Sequence, residues 1–420
     1  MITTGFRNLK YKIKKKCTLC RDNKLVQILK FGKTPLANSY PKTKNEKEFF
    51  FPLTVLLCKS CGHSQLREIV NPSIMFKNYL YVSGTSNVLR KHFEDYALKM
   101  IKKFNLKKSD FIMDIACNDG TFLKNFIDKK FKNVIGVDPA SNLRKYNLKK
   151  KIKINTFFFN YKKSLLLKKK YKPFKLITAN NVCAHIPDVF DFFRGIKKIL
   201  KEDGVFVFEV SYLLDVINKL SFDTIYHEHM SYHALKPLIS FAKSNNLEVF
   251  DFDLIKAQGG SIRVYICHKN QFKIEKQKIK KQISIEKNKG LFNIELFKNY
   301  MKRINREKNR LSKILRDMRK SNVEVVGFGA PAKLTTFSYK FKIDNELISN
   351  IVDDNDLKQN RLSPGKNIKI ISYEKLKKIN FGAVIIFAWN FAESIIMRIK
   401  KDYKNKKIII PFPKVKVIKS

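Results

Sequence analysis

Short apolar runs alternate with helical patterns through the middle of the chain. Residues 111–115 form an apolar run that leads into a turn, after which apolar residues recur at 122, 123, 126 and 127. A second apolar run covers 134–137 and ends on Asp138. Runs of this length are typical of buried strands, and recurrence at three or four residues is typical of a helix. The pattern therefore predicts a strand, a turn, a helix and a second strand.

The same alternation continues toward the carboxyl end. Apolar runs at 174–179, 205–210 and 262–267 predict three more strands, and a turn is expected at 202–204. A helical pattern over 88–104 precedes the first strand of the region. Because strands that alternate with helices pack as a parallel doubly wound sheet, the predicted fold class is α/β.

Further elements flank this sheet. Near the amino end, residues 25–31 and 53–57 predict strands. Beyond the sheet, an apolar stripe within 286–320 predicts one long linking helix. The last strands, predicted at 323–326, 348–352 and 384–388, indicate a smaller Rossmann-like α/β domain. The predicted domains are residues 1–90, 91–285, 286–320 and 321–420.

Composition supports a globular protein. Of 420 residues, 44% are hydrophobic and 12% aromatic, which suits two or three domains with packed cores. There is neither an apolar stretch of about twenty residues nor a signal-peptide pattern at the amino end. The sequence therefore predicts a soluble cytoplasmic protein without a membrane segment.

The net charge of +50 raises the question of nucleic-acid binding. The lysines are spread along the whole chain, however, and Lys, Ile, Asn and Phe are abundant together, which is typical of a compositional bias. Nucleic acid is therefore not the predicted partner. A positive field equally favours a phosphorylated small substrate. The sequence gives no indication of an oligomeric state.

Four cysteines form two C-x-x-C pairs. Cys17 and Cys20 make the first pair, Cys58 and Cys61 make the second, and 37 residues lie between the pairs. Four thiolates at this spacing close the tetrahedral shell of a zinc ion and leave no position for water. The predicted cofactor is structural Zn²⁺, and the alternative is two unrelated thiol pairs.

The turn after the first central strand carries small residues, and an acid ends the next strand. Such a turn lets the backbone approach a nucleoside, and the acid can accept hydrogen bonds from ribose hydroxyls. The turn lacks the three glycines that suit a pyrophosphate. The predicted ligand is S-adenosylmethionine, and the alternative is an ordinary buried α/β unit. The candidate cofactor-binding residues are Asp114, Ala116, Cys117, Asn118, Gly120, Asp138, Asn180 and Asn181.

The densest group of proton-transfer residues lies in the segment 222–232, F-D-T-I-Y-H-E-H-M-S-Y. His227 and His229 are two residues apart, whereas the helical zinc motif places histidines four apart. The segment therefore favours acid–base chemistry by a histidine with a neighbouring carboxylate. A metal site and a surface loop without function are the alternatives.

Two glycine turns are candidates for substrate contacts. The first, 258–263, ends at Arg263, which could hold an oxyanion or belong to a hairpin. The second, 327–333, precedes a helix and contains Lys333, which suggests a phosphate contact. Tyr79 and Tyr81 precede the small polar residues 83–86, and this stretch could line a cleft or be a half-buried strand and turn.

Together these motifs resemble the zinc-containing sugar C-methyltransferases of deoxysugar pathways. The resemblance is carried by the paired C-x-x-C, D-I-A-C-N-D-G, G-V-D-P-A, A-N-N-V-C-A-H-I-P-D, F-D-T-I-Y-H-E-H-M-S-Y and G-F-G-A-P-A-K, in this order over nearly the whole chain. It implies methylation of carbon 3 of a nucleotide-linked 4-keto sugar.

The resemblance also implies residue roles. His229 is the expected base, and Glu228 is expected to orient it. Tyr226, His185 and one tyrosine of the Tyr79–Tyr81 stretch, with Tyr81 the first choice, are expected to donate hydrogen bonds to an enolate oxygen, although the tyrosine could itself be the base. Asn181, Lys333 and Arg263 are expected to contact the substrate, and the C-terminal domain is expected to contact the nucleotide sugar. The family commonly has His before the G-G-S turn, where this chain has Gln258.

Three hypotheses follow from the sequence. The first is a sugar C-methyltransferase that acts through an enolate. The second is methylation of RNA or another small molecule, motivated by the charge and the zinc pairs. The third is a catalytically inactive nucleotide-binding scaffold, motivated by Gln258 and the altered glycine turn.

Overall fold

The computed structural model describes residues 10–76, 82–256 and 259–420, and the chain divides into two compact units. Unit 1 comprises residues 1–26, 56–213 and 230–292, and unit 2 comprises residues 27–55, 214–229 and 293–420. The domains predicted from the sequence are continuous segments, whereas both units are assembled from separated segments. Residues 222–229 of the acid–base segment belong to unit 2, and its last three residues belong to unit 1.

The amino-terminal region forms two small sheets. In the first, β1 and β5 are antiparallel; in the second, the order is β11-β4-β3-β2, and β2 and β3 each run from one unit into the other. The strands predicted at 25–31 and 53–57 lie inside β2 and β3, which confirms both. The bounds are β1 (Tyr11–Ile13), β2 (Leu25–Pro35), β3 (Phe50–Cys58), β4 (Ser64–Leu66), β5 (Glu68–Val70) and β11 (Ser231–Tyr232).

The central sheet of unit 1 has seven strands in the order β12-β13-β10-β9-β6-β7-β8. All neighbours are parallel except β13, which is antiparallel to β10 and β12. The prediction of a parallel sheet is wrong for this strand, because β12 and β13 form a hairpin. The bounds are β6 (Phe111–Ile115), β7 (Asn133–Val137), β8 (Lys153–Asn155), β9 (Phe174–Asn180), β10 (Leu200–Ser211), β12 (Leu247–Ile255) and β13 (Ser261–His268).

Helices cover this sheet. The helix predicted over 88–104 is α2, and its first turn is capped by Ser86, whose hydroxyl accepts from the Leu89 N–H at 3.3 Å. Its apolar face packs on α3 through Phe93 and Phe122. In chain order the helices up to residue 288 are α1 (Pro72–Phe76), α2 (Asn87–Lys103), α3 (Thr121–Asp128), α4 (Arg144–Lys149), α5 (Tyr161–Lys170), α6 (Val189–Ile199), α7 (Leu213–Asn218), α8 (Leu235–Ser244) and α9 (Lys276–Asn288). Of these, α7 belongs to unit 2 except for its first residue.

Two predicted elements differ from the structure. The turn predicted at residues 202–204 is absent, because these residues lie inside β10. The pairing register between β10 and β9 shifts there, between Leu200 and Val205. The linking helix predicted over 286–320 is interrupted, because Gly290 takes a left-handed φ of 77° and closes α9. Asn293 then caps α10 (Ile294–Lys320) by accepting from the Glu295 N–H.

Unit 2 contains a second α/β sheet in the order β16-β15-β14-β17-β18-β19, parallel except for the β18–β19 pair. The three strands predicted for this domain are confirmed within two residues at each end. From β14 the chain adds β15 and β16 on one side and then β17 and β18 on the other. At such a switch in strand order, a crevice is expected between the carboxyl ends of β14 and β17. The bounds are β14 (Val325–Phe328), β15 (Asn350–Val352), β16 (Lys369–Ile371), β17 (Ala383–Ile386), β18 (Lys407–Ile410), β19 (Lys416–Lys419), α11 (Leu334–Phe341), α12 (Tyr373–Leu376) and α13 (Ala392–Asp402).

An aromatic cluster anchors the acid–base segment in unit 2. Phe222 is fully buried and stacks on Phe31, Phe337 and Phe341 with ring centroids 5.2 to 6.1 Å apart. Burial of one such ring stabilises the fold by about 2 to 3 kcal/mol. The residues that follow Phe222 are therefore attached to a rigid core. Within the described ranges, none of the helices is both long and apolar enough to span a bilayer.

Candidate functional site

The turn after β6 has an unusual backbone. Ala116, Asn118 and Gly120 all have left-handed φ angles, between 54° and 76°. The strain at the two non-glycine residues is offset by hydrogen bonds: the Asn118 N–H donates to Asp138 Oδ2 at 2.8 Å, and Asn147 Nδ2 donates to the Asn118 carbonyl at 2.7 Å. The turn is thus held open in one conformation at the carboxyl ends of β6 and β7.

Close packing explains why small residues occupy this turn. A Cβ on Gly120 would lie 2.6 Å from Asn147 Oδ1, and a Cβ on Gly136 would lie 2.7 Å from the sulfur of Cys117. The backbone N–H of Ser83 donates to Asn118 Oδ1 at 2.9 Å, so the segment after the tyrosine-rich stretch closes on the turn.

Two buried carboxyl groups lie at the strand ends beside the turn. Burial raises the pKa of Asp114 to about 8, and Thr178 and Asn180 both donate to its Oδ1, at 2.6 and 3.3 Å. Burial also raises the pKa of Asp138 to about 6, although the amides of Asn118 and Ala140 donate to it and oppose the shift. Both groups therefore titrate well above an ordinary aspartate.

These residues suit a nucleoside cofactor. Asp138 uses one lone pair on each oxygen and retains others for ribose hydroxyls. Among the described residues, the buried Oδ1 of Asn180 has no hydrogen-bond partner, and an adenosine or methionine N–H would satisfy it. The small turn, the acid and the orphaned amide oxygen together fit S-adenosylmethionine.

We expect Asp138→Asn to weaken binding of S-adenosylhomocysteine about tenfold at about pH 7.5, because a carboxylate accepts stronger hydrogen bonds than an amide. In the unsubstituted protein, affinity should fall as the pH drops below about 6, where Asp138 gains its proton. Titration calorimetry across pH measures both effects. Asp128→Asn, in an exposed pair with Lys124, is the control. An unchanged pH profile in Asp138→Asn would contradict the assignment.

The four cysteines of the C-x-x-C pairs meet in space. Their sulfur atoms all lie within 4.8 Å of one another, with Cys17 and Cys61 3.6 Å apart and Cys20 and Cys58 3.5 Å apart. Sulfur atoms around a tetrahedral zinc ion are about 3.8 Å apart, so this cluster fits the ion. Four protein ligands complete the shell, which makes the site structural.

The acid–base segment places a tyrosine against a histidine. His229 Nε2 lies 3.0 Å from the Tyr226 hydroxyl, and the two rings are 4.2 Å apart. His229 Nδ1 lies 2.7 Å from the Thr224 carbonyl oxygen. Because a carbonyl only accepts, Nδ1 carries the hydrogen, and Nε2 accepts from the tyrosine.

The imidazole of this pair is neutral at physiological pH. Burial lowers the pKa of His229 to about 4, and the positive charge of Lys333 lowers it further, against the hydrogen bond to Thr224. Both Tyr226 and His229 remain partly exposed. The pair therefore presents an unprotonated imidazole nitrogen, Nε2, that is hydrogen-bonded to a phenol at a partly exposed position.

Glu228 contacts a different partner from the one expected. Its Oε1 accepts from Asn38 Nδ2 at 2.6 Å, and the side chain is 2% exposed. The Thr224 carbonyl, instead of the expected carboxylate, holds His229 Nδ1. Glu228 also contributes to the field at Lys358, where burial lowers the lysine pKa and the two acids Asp353 and Glu228 oppose that shift.

Lys333 lies against an aromatic ring instead of in a phosphate-binding loop. Its Nζ is 3.9 Å from the ring centroid of Trp389, and the Trp389 indole N–H donates to Asp223 Oδ2 at 2.7 Å. Burial lowers the pKa of Lys333 to about 8, against the attraction of Asp223. Burial also raises the pKa of Asp223 to about 6.

The glycine turn after β14 is closed by the protein itself. The Gly329 N–H donates to the Val352 carbonyl at 2.7 Å, and the Ala330 N–H donates to Asp353 Oδ2 at 2.6 Å. The Ala330 carbonyl accepts from Tyr40 and Lys358. A phosphate would have to displace a carboxylate from this turn, so we do not retain a phosphate contact there.

The other predicted residues are distributed as follows. The buried Arg263 donates twice to Glu209 and lies 3.4 Å over the Tyr96 ring, so it is not retained as a substrate contact. Asn181 follows β9 with a left-handed φ of 56°, and His185 packs beside Phe76 with ring centroids 5.5 Å apart. Tyr79, Tyr81 and Gln258 lie outside the described residues.

Sequence reasoning missed several residues of this site. Thr224, Asp223 and Trp389 lie within stretches that carry other motifs, but no sequence spacing pairs a carbonyl with an imidazole or an indole with a carboxylate. Asn38 is 190 residues from Glu228, to which it donates, and Tyr40 is 290 residues from Ala330, whose carbonyl it holds. The sequence offered one signal for the Asp223–Trp389 contact. It was that an acid and the single tryptophan of the chain lie at the ends of predicted elements.

Three family models match this chain in order. They are a putative zinc binding domain at residues 17–76, a methyltransferase domain at 89–251 and a C-methyltransferase C-terminal domain at 256–413. The first confirms the zinc prediction together with the cysteine cluster, and the others match the two α/β sheets.

Relatives give the same picture. The chain is 26% identical over 405 residues to the C-methyltransferase NovU of Streptomyces niveus, and the alignment covers 96% of each chain. A methyltransferase of Clostridium acetobutylicum shares 17% identity, with 43% of this chain and 92% of that chain covered and a TM-score of 0.34. The magnesium protoporphyrin IX methyltransferase of Synechocystis shares 9%, with 43% and 79% covered and a TM-score of 0.33. Both TM-scores are below 0.5, which is too low to support a conclusion about this chain.

Proposed function

The chain is an S-adenosylmethionine-dependent C-methyltransferase, and from that premise we propose that it methylates a nucleotide-linked keto-deoxysugar at the carbon next to the ketone. The single observation that carries the proposal is the Tyr226–His229 pair, in which the neutral Nε2 is hydrogen-bonded to the phenol hydroxyl. The similarity to the C-methyltransferase NovU over nearly the full length supports transfer of the methyl group to carbon.

Carbon methylation needs a base, because carbon carries no lone pair. A hydrogen next to a ketone is acidic, since the ketone oxygen can hold the charge as an enolate. A neutral imidazole in a desolvated site takes such a proton without first losing its own. The neutral state leaves Nε2 able to accept the proton, and because a pKa of about 4 makes this nitrogen a weak base, the enolate must be stabilised in the same step.

The proposed proton path ends on His229. The bond between hydrogen and the substrate carbon breaks, its electrons form the carbon–carbon double bond of the enolate, and the proton moves to Nε2. Tyr226 turns its hydroxyl hydrogen from Nε2 to the enolate oxygen. The Nδ1–H bond to Thr224 stabilises the imidazolium that results. If the tyrosine oxygen is instead the acceptor, its own proton passes to Nε2 and the net result is the same.

The cofactor supplies an activated methyl group on a positively charged sulfur. In unit 1, Asp138 would hold its ribose hydroxyls, and Asn180 would accept one of its N–H groups. Glu228 and Asn38 would keep the segment that carries the base fixed in unit 2.

Methyl transfer tests the proposal. Pure protein with methyl-labelled S-adenosylmethionine should transfer label to at least one member of a panel of nucleotide-linked 4-keto sugars, and mass spectrometry should locate the methyl group on carbon. Total RNA serves as the second substrate class. Label in RNA and in none of the sugars would contradict the proposal.

Hydrogen exchange isolates the base from the transfer. Without cofactor, a keto-sugar nucleotide incubated in heavy water should take up one deuterium at the carbon next to the ketone. Proton NMR follows the loss of that signal. His229→Ala should slow this exchange to the rate of the substrate in heavy water without protein. If the chain were a scaffold without catalysis, even the unsubstituted protein would not accelerate the exchange.

A further inference from the structure

The crevice at the strand ends of unit 2 contains polar groups that the proposed reaction does not use. Asp223 precedes the acid–base pair, Lys333 follows the turn after β14, and Trp389 and Asn390 follow β17. Ligands of α/β sheets bind at such a reversal of strand order. These residues therefore lie where a ligand is expected in this domain.

Trp389 ties the group together. Its indole N–H donates to one oxygen of Asp223 at 2.7 Å, and its ring faces the Lys333 ammonium at 3.9 Å. Asp223 is only 1% exposed, whereas Lys333, Trp389 and Asn390 are partly exposed. One side of the group is thus enclosed, and the other is accessible.

Three of these polar groups make no hydrogen bond at a named atom within the described part of the chain: Asp223 Oδ1, Asn390 Oδ1 and Lys333 Nζ. The buried Oδ1 of Asp223 and the buried Oδ1 of Asn390 accept no hydrogen bond. The Lys333 ammonium faces the Trp389 ring and, at longer range, interacts with the charge of Asp223 and with His229, but it donates no hydrogen bond within the described residues. Buried polar groups are normally hydrogen-bonded, so unpaired ones beside an opening indicate a missing ligand.

The chemistry of the three groups selects the ligand class. Two oxygen acceptors need hydrogen-bond donors, and the ammonium needs an acceptor. A diphosphate offers acceptors and negative charge only, and Asp223 would repel it. A hydroxyl both donates and accepts, and an amino group donates. The neighbouring turn is closed to phosphate by Asp353 as well.

We infer that Asp223, Asn390 and Lys333 form a specificity subsite for the hydroxyl or amino substituents of the sugar, and not for the diphosphate. This inference rests on the proposed nucleotide-sugar substrate. Asp223 and Asn390 accept from the sugar's donors, and Lys333 donates to its oxygens. Trp389 is a positioning residue that orients Asp223.

Binding measurements with unreactive ligands test the subsite without any turnover. UDP-glucose and dTDP-glucose are compared with UDP and dTDP by titration calorimetry, using the full chain with S-adenosylhomocysteine. In the unsubstituted protein, at least one of the two nucleotide sugars should bind more tightly than the nucleoside diphosphate that lacks the sugar. Asp223→Asn should lose at least tenfold in affinity for the nucleotide sugar and less than twofold for the nucleoside diphosphate.

Control variants separate the subsite from a general loss of structure. Asp354→Asn, in an exposed pair with Arg398, should change neither affinity. Asn390→Ala provides a second test at a partly exposed residue if Asp223→Asn does not fold. Equal losses for the sugar and bare diphosphate ligands would assign the crevice to the nucleotide and overturn the inference. No loss in folded variants, or no effect of the sugar in the unsubstituted protein, would overturn it too.

The outcome is distinguishable from failure of the proposed function. A protein that binds the sugars through Asp223 but methylates none of them retains the subsite and loses the proposed reaction. A protein that methylates a keto sugar with unchanged KM in Asp223→Asn retains the reaction and loses the subsite.

Discussion

His229→Ala is expected to lower kcat for methyl transfer by at least about 1,000-fold while the affinity for S-adenosylhomocysteine stays within twofold. A positioned general base contributes about 100- to 10,000-fold, and this variant removes both the base and the acceptor of the Tyr226 hydroxyl. The candidate cofactor-binding residues Asp114, Asn118 and Asp138 belong to unit 1, whereas the substitution lies in unit 2. Single-turnover kinetics with labelled cofactor measures the effect.

Tyr226→Phe is the informative companion. It keeps Nε2 as a base and removes only the hydroxyl. If Nε2 takes the proton directly, this variant should lose about 10- to 100-fold, the value of one donor to the enolate. A loss as large as that of His229→Ala would mean that the proton passes through the tyrosine oxygen.

Added imidazole gives a chemical control for His229→Ala. A small base that enters the space left by the side chain should restore part of the exchange of the substrate hydrogen. A folded His229→Ala protein that retains full turnover would remove His229 from the reaction. Thr224 is not a useful control, because its backbone carbonyl holds Nδ1 and no substitution removes it.

Cys58→Ser is expected to abolish metal binding and to unfold the zinc module of residues 17–76. Structural zinc contributes about 10 to 16 kcal/mol of apparent binding free energy, more than a module of this size gains from its core. Metal content should fall from one zinc per chain to none, and protease should cleave within the module.

A cysteine outside the cluster provides the matched control. Cys267→Ala lies in β13, away from the four sulfurs, and should keep one zinc per chain with only a small loss of thermal stability. Chelation of the unsubstituted protein should reproduce the Cys58→Ser phenotype. A chelated protein with an unchanged protease pattern would show that the module does not need the ion.

The zinc site illustrates how much local spacing can determine. Two-residue spacers fix both thiols of a pair on one side of a knuckle, so Cys17, Cys20, Cys58 and Cys61 were predictable without knowing the path of the 37 residues between them. The same holds for the cofactor turn. Its strand, helix and acid are consecutive in the chain, and β6 begins and ends at the predicted residues.

Predictions were weaker where the decisive feature is not encoded in apolar periodicity. The direction of β13 depends on a hairpin that apolar periodicity does not encode, and the break before α10 depends on one left-handed glycine. Arg263 had the composition of an oxyanion contact, yet the structure pairs it with Glu209, 54 residues away.

The sequence by itself determined the fold class and the four-cysteine cluster and predicted a carboxylate for the cofactor, because these depend on periodicity and on residues close together in the chain. Only the tertiary structure decided the tautomer of His229, the closure of the glycine turn by Asp353 and the unpaired oxygens of Asp223 and Asn390. The physical reason is that hydrogen bonds and desolvation depend on which groups meet in space, whether these are five residues apart, as His229 and Thr224 are, or 166 apart, as Asp223 and Trp389 are.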